Sequence, residues 1–196
     1  MRVLVIFCHP LKESFQAGLH DIIIRELKAA GHEVDDCDLY AEGFTPVLTQ
    51  AERANYYNIP SNREPVERYV QRLMWAEALV FCFPTWNFSV PAMLKGFFDR
   101  IFLPGVSFEI SPDGVVRTTL THIRYIRAVV TYGSPWWVAW SMGDPSRKMI
   151  TRFMRMITGG KTHIRYLAYY HVNKSTPDKR EQFKHKVAGV MRALPH

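Results

Sequence analysis

The stretch that most constrains the fold is residues 79–102, LVFCFPTWNFSVPAMLKGFFDRIF, which divides into a strand, a loop and a helix. Residues 79–83 form an unbroken apolar run that is too short for a helix and lacks the alternation of a half-exposed strand. This run therefore predicts a central strand that is covered on both faces. Pro84 ends the strand, because proline has no backbone N–H to donate to a neighbouring strand.

The loop that follows, TWNFSV (85–90), is the first candidate site. Pro91 fits the first turn of a helix, and apolar residues then recur at helical spacing. A loop at the carboxyl end of a buried parallel strand is where an open α/β sheet binds ligands. The alternative is an ordinary turn in which Trp86 and Phe88 fold into the core.

Four other strands and four other helices are predicted by the same patterns. The strands cover residues 2–8, 32–39, 125–131 and 162–169, and the helices cover residues 15–30, 65–75, 145–157 and 177–194. Gly31 closes the first helix at its C′ position. Thr49 and Glu52 form a capping box within the irregular segment 40–64. Residues 104–116 contain the turn sequence SPDG, which predicts a hairpin outside the main sheet.

Strands that alternate with helices predict a doubly wound, five-stranded parallel sheet with helices on both faces. We predict the strand order 2-1-3-4-5, and in that order the loops after strands 1, 3 and 4 lie together beside the switch point of the sheet. These loops are HPLKES (9–14), TWNFSV and YGSPWW (132–137). A crevice that binds a phosphate at one side and a planar ring at the other has the shape of a flavin site.

The first loop, HPLKES, ends at a predicted helix N-terminus, where free N–H groups favour an anion. Ser14 can cap this helix, and His9 and Lys12 add donors. The alternative is a capped helix with a surface lysine, since the glycine-rich phosphate loop and its GK[ST] ending are absent. In the third loop, Gly133 and Ser134 are small enough for a ligand to approach the backbone.

Composition sets limits on the class of protein. A length of 196 residues predicts one domain over 1–196, and no apolar stretch approaches the roughly 20 residues that span a bilayer. The chain begins in a strand instead of a signal-like segment, so we expect a cytoplasmic protein without membrane insertion. The three cysteines are scattered, which predicts neither a disulfide nor a zinc site.

The net charge of +7 raises the question of nucleic-acid binding. We expect none, because the basic residues are spread over many segments instead of one arm. Lys148, Arg152 and Arg155 form the densest helical cluster, which is typical of a solvated helix face. Attraction of anionic substrates, such as nucleotide phosphates, remains an alternative.

Three segments carry a resemblance to a known family: HPLKESFQ (9–16), FPTWNFSVPAMLKGFFDRIF (83–102) and TYGS (131–134). The chain resembles the flavodoxin-like NAD(P)H:quinone oxidoreductases, the DT-diaphorase type and its bacterial relatives, over residues 1–144. The resemblance implies a flavoenzyme, usually a homodimer, that takes hydride from NAD(P)H and passes two electrons to a quinone or similar acceptor. It implies a bound flavin, with FAD favoured and FMN as the alternative.

The resemblance also assigns roles to positions of this chain. His9, Ser14, Phe15 and Gln16 would contact the phosphate and ribityl groups. Two further sets would surround the isoalloxazine ring: Pro84, Thr85, Trp86, Asn87 and Phe88 along it, and Thr131, Tyr132, Gly133 and Ser134 at its N1/O2 edge. Donors at that edge stabilise the negative charge that reduction places there.

Two positions depart from the family. Where the DT-diaphorases have a tyrosine and a histidine, this chain has Trp136 and Met142, and neither can act as a general acid or base. The catalytic residues are therefore left unknown by the sequence. Two other functions remain open: a flavodoxin-type electron carrier, which usually has an acidic surface, and a flavin-binding regulatory subunit of a transporter.

Overall fold

The computed structural model describes all 196 residues, and its centre is a five-stranded parallel sheet. Its strands are β1 (Arg2–Phe7), β2 (Glu33–Asp38), β3 (Ala78–Pro84), β6 (Tyr125–Thr131) and β7 (His163–Tyr169). Two short strands, β4 (Phe108–Ile110) and β5 (Val116–Thr118), pair antiparallel in a separate hairpin. The main sheet has the order β2-β1-β3-β6-β7. The predicted order 2-1-3-4-5 and the outlying hairpin are thus confirmed.

Eight α-helices connect or flank the strands. They are α1 (Phe15–Ala29), α2 (Gln50–Ala54), α3 (Glu67–Trp75), α4 (Ala92–Ile101), α5 (Trp136–Ser141), α6 (Pro145–Lys148), α7 (Met154–Ile157) and α8 (Pro177–Arg192). No helix is both long and apolar enough to cross a membrane.

The two faces of the sheet are covered by different helices, as the unbroken apolar strands predicted. In β3, Leu79 and Phe81 belong to the core shared with α3 and α4, whereas Val80 and Cys82 belong to the core shared with α1 and α8. Every residue of β3 is buried. Because no face of this strand needs polar side chains, its sequence is continuously hydrophobic.

Three predicted boundaries are corrected. The segment after Ser134, expected to be loop, contains α5, because residues 136–141 include no helix breaker and Gly143, at φ +80°, allows the chain to turn only after them. The helix predicted over 145–157 is interrupted by a π-helical turn, Met149–Phe153. The helix predicted from residue 65 begins at Glu67, after the 3₁₀ turn Ser61–Val66.

The irregular segment 40–64 is tied to α4 by a buried ion pair. Arg100 donates from Nε to Glu52 at 2.9 Å and also bonds the Thr45 carbonyl. The predicted capping box is present, because the Thr49 hydroxyl and the Glu52 carboxylate each accept a backbone N–H of the other residue. The segment is therefore a fixed cover over the helix that follows the central strand.

Candidate functional site

A cavity of about 410 Å³, here called the crevice, lies where β1, β3 and β6 end. Nine of the predicted site residues line it: His9, Ser14, Phe15, Gln16, Pro84, Thr85, Trp86, Thr131 and Gly133. They come from three separate loops of the chain. The sheet order therefore brings the loops together as the sequence predicted, because the carboxyl ends of adjacent parallel strands share one edge.

At one end of the crevice, Ser14 caps α1. Its side-chain oxygen accepts the Ala17 N–H at 3.1 Å, which leaves other N–H groups of the first turn available. No acidic residue lies in that turn. Since the helix N-terminus carries partial positive charge, this end of the crevice favours an anion.

His9 is held beside this end by the backbone. Its Nδ1 accepts the Leu11 N–H at 3.0 Å, so the neutral ring carries its proton on Nε2 as a donor. Partial burial lowers the pKa of His9, although the Leu11 carbonyl works in the opposite direction. At neutral pH we therefore expect a neutral hydrogen-bond donor at this position.

Gln16 forms the floor of the crevice and is almost fully buried. Its Nε2 donates to the Val129 carbonyl at 3.0 Å, and its Oε1 accepts from the Thr131 hydroxyl at 2.8 Å. These bonds join α1 to β6 beneath the site. The Gln16 amide is thus occupied by the protein, and its part in the crevice is to fix the floor.

The loop after β3 is a strained two-residue hairpin. Trp86 and Ser89 exchange backbone hydrogen bonds of 3.1 and 3.0 Å, while Asn87 and Phe88 have φ of +48° and +63°. Such a turn suits asparagine, but for a bulky aromatic residue a positive φ costs of order 1–3 kcal/mol. Backbone strain of this kind is concentrated at functional sites.

The hairpin presents its aromatic side chains outside the core. Trp86 is 40% exposed, and its ring lies 5.9 Å from that of His9. Phe88 is half-buried and does not line the crevice. The alternative in which both rings fold into the core is therefore excluded for Trp86.

Four backbone N–H groups at this edge have no partner within the protein. They belong to Asn87 and Phe88 in the hairpin and to Gly133 and Ser134 after β6. Gly133 lines the crevice, whereas the other three lie within two residues of a lining residue without lining it themselves. Backbone groups are strong donors that nearly always find a partner. Two pairs of free N–H groups on neighbouring loops are suited to the polar edge of a planar heterocycle.

Tyr132, which the resemblance placed at the ring edge, points its side chain elsewhere. It is buried, and its hydroxyl donates to Asp144 at 2.7 Å and lies 2.6 Å from the Tyr166 hydroxyl. Burial and the neighbouring Tyr166 and Asp144 strongly raise the pKa of Tyr132. This hydroxyl stays protonated and holds Asp144, at the end of the loop, in place.

Three crevice residues were missed by sequence reasoning: Val172, Asn173 and Arg180. They follow β7, and Arg180 is held by the Ser175 hydroxyl at 2.8 Å and by its position 5.6 Å over the Phe15 ring. No carboxylate pairs with Arg180, so its charge is available beside the capped end of α1. The signal in the sequence was that the fifth strand ends at the same edge as the others.

The cysteines do not offer a nucleophile. Burial raises the pKa of Cys8 and of Cys37 to about 12, and it raises the pKa of Cys82 as well. All three are buried free thiols that remain protonated at neutral pH. The chemistry of the crevice must come from another group.

Comparison with known proteins identifies a family for this chain and relatives that are named as oxidoreductases. A family model described as having the flavodoxin-like fold matches residues 1–194. The chain is 32% identical over 108 residues to an uncharacterized NAD(P)H oxidoreductase, YcaK, of Escherichia coli, covering 55% of each chain. It is 31% identical over 125 residues to the human ribosyldihydronicotinamide dehydrogenase [quinone], covering 56% of this chain and 54% of the relative. The matches thus span about half the length of these relatives.

Solved structures match along the whole chain. An NAD(P)H:quinone oxidoreductase from Methanothermobacter marburgensis superposes with a TM-score of 0.83 at 23% identity, covering 100% of this chain and 96% of the other. An FMN-dependent NADH-azoreductase from Bacillus anthracis, in complex with FMN, superposes with a TM-score of 0.82 at 16% identity, covering 100% and 99%. At these identities the likeness establishes the fold.

Proposed function

This chain belongs to the flavodoxin-like family, and we propose that it is a flavin-dependent oxidoreductase of the NAD(P)H dehydrogenase (quinone) type. It transfers hydride from NAD(P)H through a bound flavin to a quinone or similar small acceptor. The observation that carries this proposal is that the loops after β3 and β6, which carry four unpartnered N–H groups, contribute Trp86 and Gly133 to the same crevice as the capped N-terminus of α1. The names of the relatives support the same reaction class.

The residues of the crevice fit a flavin. The end formed by Ser14, His9 and Arg180 combines N–H donors with an unpaired guanidinium and suits a phosphate. The N–H pairs at Asn87–Phe88 and Gly133–Ser134 suit the isoalloxazine ring. When the flavin is bound, this ring would be the group that accepts the hydride. Fixed donors of this kind stabilise negative charge without reorganising.

We favour FAD over FMN as the bound flavin because a second cavity offers space for the additional nucleotide of FAD. This cavity, of about 430 Å³, adjoins the crevice, with which it shares Phe15 and Arg180. A mononucleotide would end at the crevice, whereas a dinucleotide extends beyond its first phosphate. Mass analysis of the flavin released by denaturation decides between the two.

Turnover requires a proton, and the residues at the positions where the DT-diaphorases have a tyrosine and a histidine cannot donate it. Trp136 and Met142 are both exposed and have no titratable proton. The pKa of Tyr132 and that of Tyr166 are both raised, chiefly by burial. We therefore propose that solvent or a substrate proton serves this purpose.

Gly133→Val tests the placement of the flavin. A Cβ at Gly133 would lie 3.3 Å from the side chain of Asn173, another lining residue, so a branched side chain would crowd this edge of the crevice, where we place the ring. We expect flavin to bind about tenfold or more weakly, as an increase in Kd from fluorescence titration. The unchanged protein is expected to purify yellow or to take up added FAD or FMN, and to oxidise NAD(P)H.

A matched control is Gly189→Val, since a Cβ at Gly189 meets no atom within 4 Å and lies on α8. Equal flavin affinity in Gly133→Val and the parent protein would show that the ring does not lie beside Gly133. Failure of the parent protein to bind either flavin would contradict the proposed function itself. Flavin binding without NAD(P)H oxidation would instead favour the electron carrier or the regulatory subunit.

We further propose a homodimer whose second subunit completes the site. Trp136, Trp137 and Trp140 are 64%, 58% and 74% exposed on the short helix α5 beside the crevice. Aromatic residues concentrated on a surface are typical of interfaces. Sedimentation at micromolar concentration is expected to give a dimer, and a fully active monomer would refute this. A single domain over residues 1–196 and a cytoplasmic location stay predictions.

A further inference from the structure

The positive charge of this protein comes from one part of the chain. Residues 145–177 contain seven basic residues and no acidic one, whereas the rest of the chain contains 18 of each. This segment therefore accounts for the whole net charge of +7. A segment with charge of one sign favours the binding of anions wherever the fold brings several of its basic side chains together.

Part of that charge lines a cavity next to the crevice, here called the basic cavity. It has a volume of about 460 Å³ and is lined by Arg147, Lys148 and Arg152 together with Trp136, Trp140 and Tyr170. Only one acidic residue, Asp144, takes part. The basic cavity therefore holds three cations against one anion, next to exposed indole rings.

The carboxylate of Asp144, the one acidic group of the basic cavity, already accepts hydrogen bonds from other residues. Its Oδ1 accepts from the Tyr132 hydroxyl at 2.7 Å, and its Oδ2 accepts from Arg147 Nε at 2.8 Å. Arg147 also donates to the Tyr170 hydroxyl at 2.8 Å, which fixes the guanidinium. Asp144 thus positions Arg147, and both of its oxygens already accept hydrogen bonds within the protein.

The other two cations have no carboxylate partner. Lys148 and Arg152 lie four residues apart on the helical segment, where like charges repel each other when nothing lies between them. A bound dianion removes this repulsion. Arginine is also the residue that matches the geometry of phosphate oxygens.

The basic cavity and the crevice share two stretches of chain. Gly133 lines the crevice and Trp136 lines the basic cavity, and the three residue steps from one to the other span at most about 11 Å. After β7, Tyr170 lines the basic cavity and Val172 lines the crevice. A dinucleotide with its nicotinamide at the crevice can therefore place its far end in the basic cavity.

We propose that the basic cavity binds the adenosine end of NADPH, with Lys148 and Arg152 contacting its 2′-phosphate and Trp140 stacking on the adenine ring. This assignment rests on the proposed function, because it takes the hydride donor to be a nicotinamide dinucleotide. Sites that prefer NADH offer a carboxylate to the 2′-hydroxyl, whereas sites that prefer NADPH offer a basic side chain to the phosphate. The basic cavity has free cations and no free carboxylate.

The double variant Lys148→Ala/Arg152→Ala tests the proposal against Arg155→Ala. Arg155 belongs to the same basic segment but does not line the basic cavity, so it controls for a general loss of charge. Flavin reduction is followed by stopped flow with NADPH, NADH and 1-benzyl-1,4-dihydronicotinamide, which has a nicotinamide but no phosphate. We expect the double variant to raise half-saturation by NADPH about tenfold or more, with little change for the other two donors.

A second measurement does not depend on turnover. Isothermal titration calorimetry with adenosine 2′,5′-bisphosphate is expected to show binding to the parent protein and to Arg155→Ala, and much weaker binding to the double variant. An equal loss for NADPH and NADH would place the pyrophosphate in the basic cavity and overturn the assignment to the 2′-phosphate. Unchanged NADPH half-saturation and unchanged bisphosphate binding in the double variant would overturn the site altogether. If none of the three donors reduced the flavin in the parent protein, the proposed function would be contradicted. The calorimetry would still show whether the basic cavity binds the bisphosphate.

Discussion

Gly96→Ala is expected to lower the free energy of unfolding by about 3 kcal/mol. A Cβ at Gly96 would lie 2.2 Å from the Pro46 carbonyl oxygen and 2.5 Å from its Cα. Both are backbone atoms, so neither can rotate away as a flexible side chain would. The covering segment 40–64 would have to move off α4 and strain the Arg100–Glu52 contact that anchors it.

The matched control is the same substitution at Gly189. This glycine lies within α8, and a Cβ there would meet no atom within 4 Å. Since alanine is favoured over glycine in a helix interior, Gly189→Ala should stabilise the protein by about 0.5–1 kcal/mol. The two substitutions are chemically identical and should change stability in opposite directions.

Denaturation in urea, followed by circular dichroism, measures both effects. Similar midpoints for Gly96→Ala and the parent protein would mean that segment 40–64 does not pack against α4 as described. A loss of stability in Gly189→Ala would mean that the side of α8 that carries Gly189 packs against another part of the protein. Flavin affinity should fall in Gly96→Ala as well, because α4 carries the hairpin of Asn87 and Phe88 at its N-terminal end.

Trp136→Ala is expected to slow flavin reduction and flavin reoxidation by about tenfold each. If hydride enters and leaves through one flavin, nicotinamide and quinone must occupy the same stacking position in turn, which gives ping-pong kinetics. We expect Trp136, which lines the basic cavity three positions after Gly133 of the crevice, to form an aromatic wall of that position. An aromatic wall accepts two different flat molecules more readily than a set of directional polar contacts does. Loss of about 1–1.5 kcal/mol of stacking corresponds to this factor of ten.

Met142→Ala is the comparison for that variant. Met142 is 56% exposed at the end of α5, and its thioether can transfer no proton, so only packing is removed. Its effect should be smaller than that of Trp136→Ala in both half-reactions, measured separately by stopped flow. If Trp136→Ala changes neither rates nor half-saturation, Trp136 forms no part of a shared stacking position.

The sequence by itself determined the framework of this protein. Unbroken apolar runs such as residues 79–83 specify strands that are covered on both faces, and their alternation with helices restricts the sheet to a few doubly wound orders, of which 2-1-3-4-5 was the one predicted. Local chemistry specified the helix ends at Ser14, Thr49 and Gly31, because capping depends only on neighbouring residues. The same reasoning placed nine crevice residues on three loops, since strand order alone brings those loops together.

Only the tertiary structure decided which groups at that edge are free. Tyr132 is adjacent in sequence to Gly133, yet its hydroxyl is buried against Asp144 while the Gly133 N–H has no partner. The partner of each group depends on residues far away in the chain, such as Tyr166, which no local pattern encodes. Arg180 and the basic cavity were missed for the same reason: whether a cation is paired depends on which carboxylates the fold brings within reach, and a sequence shows only their number.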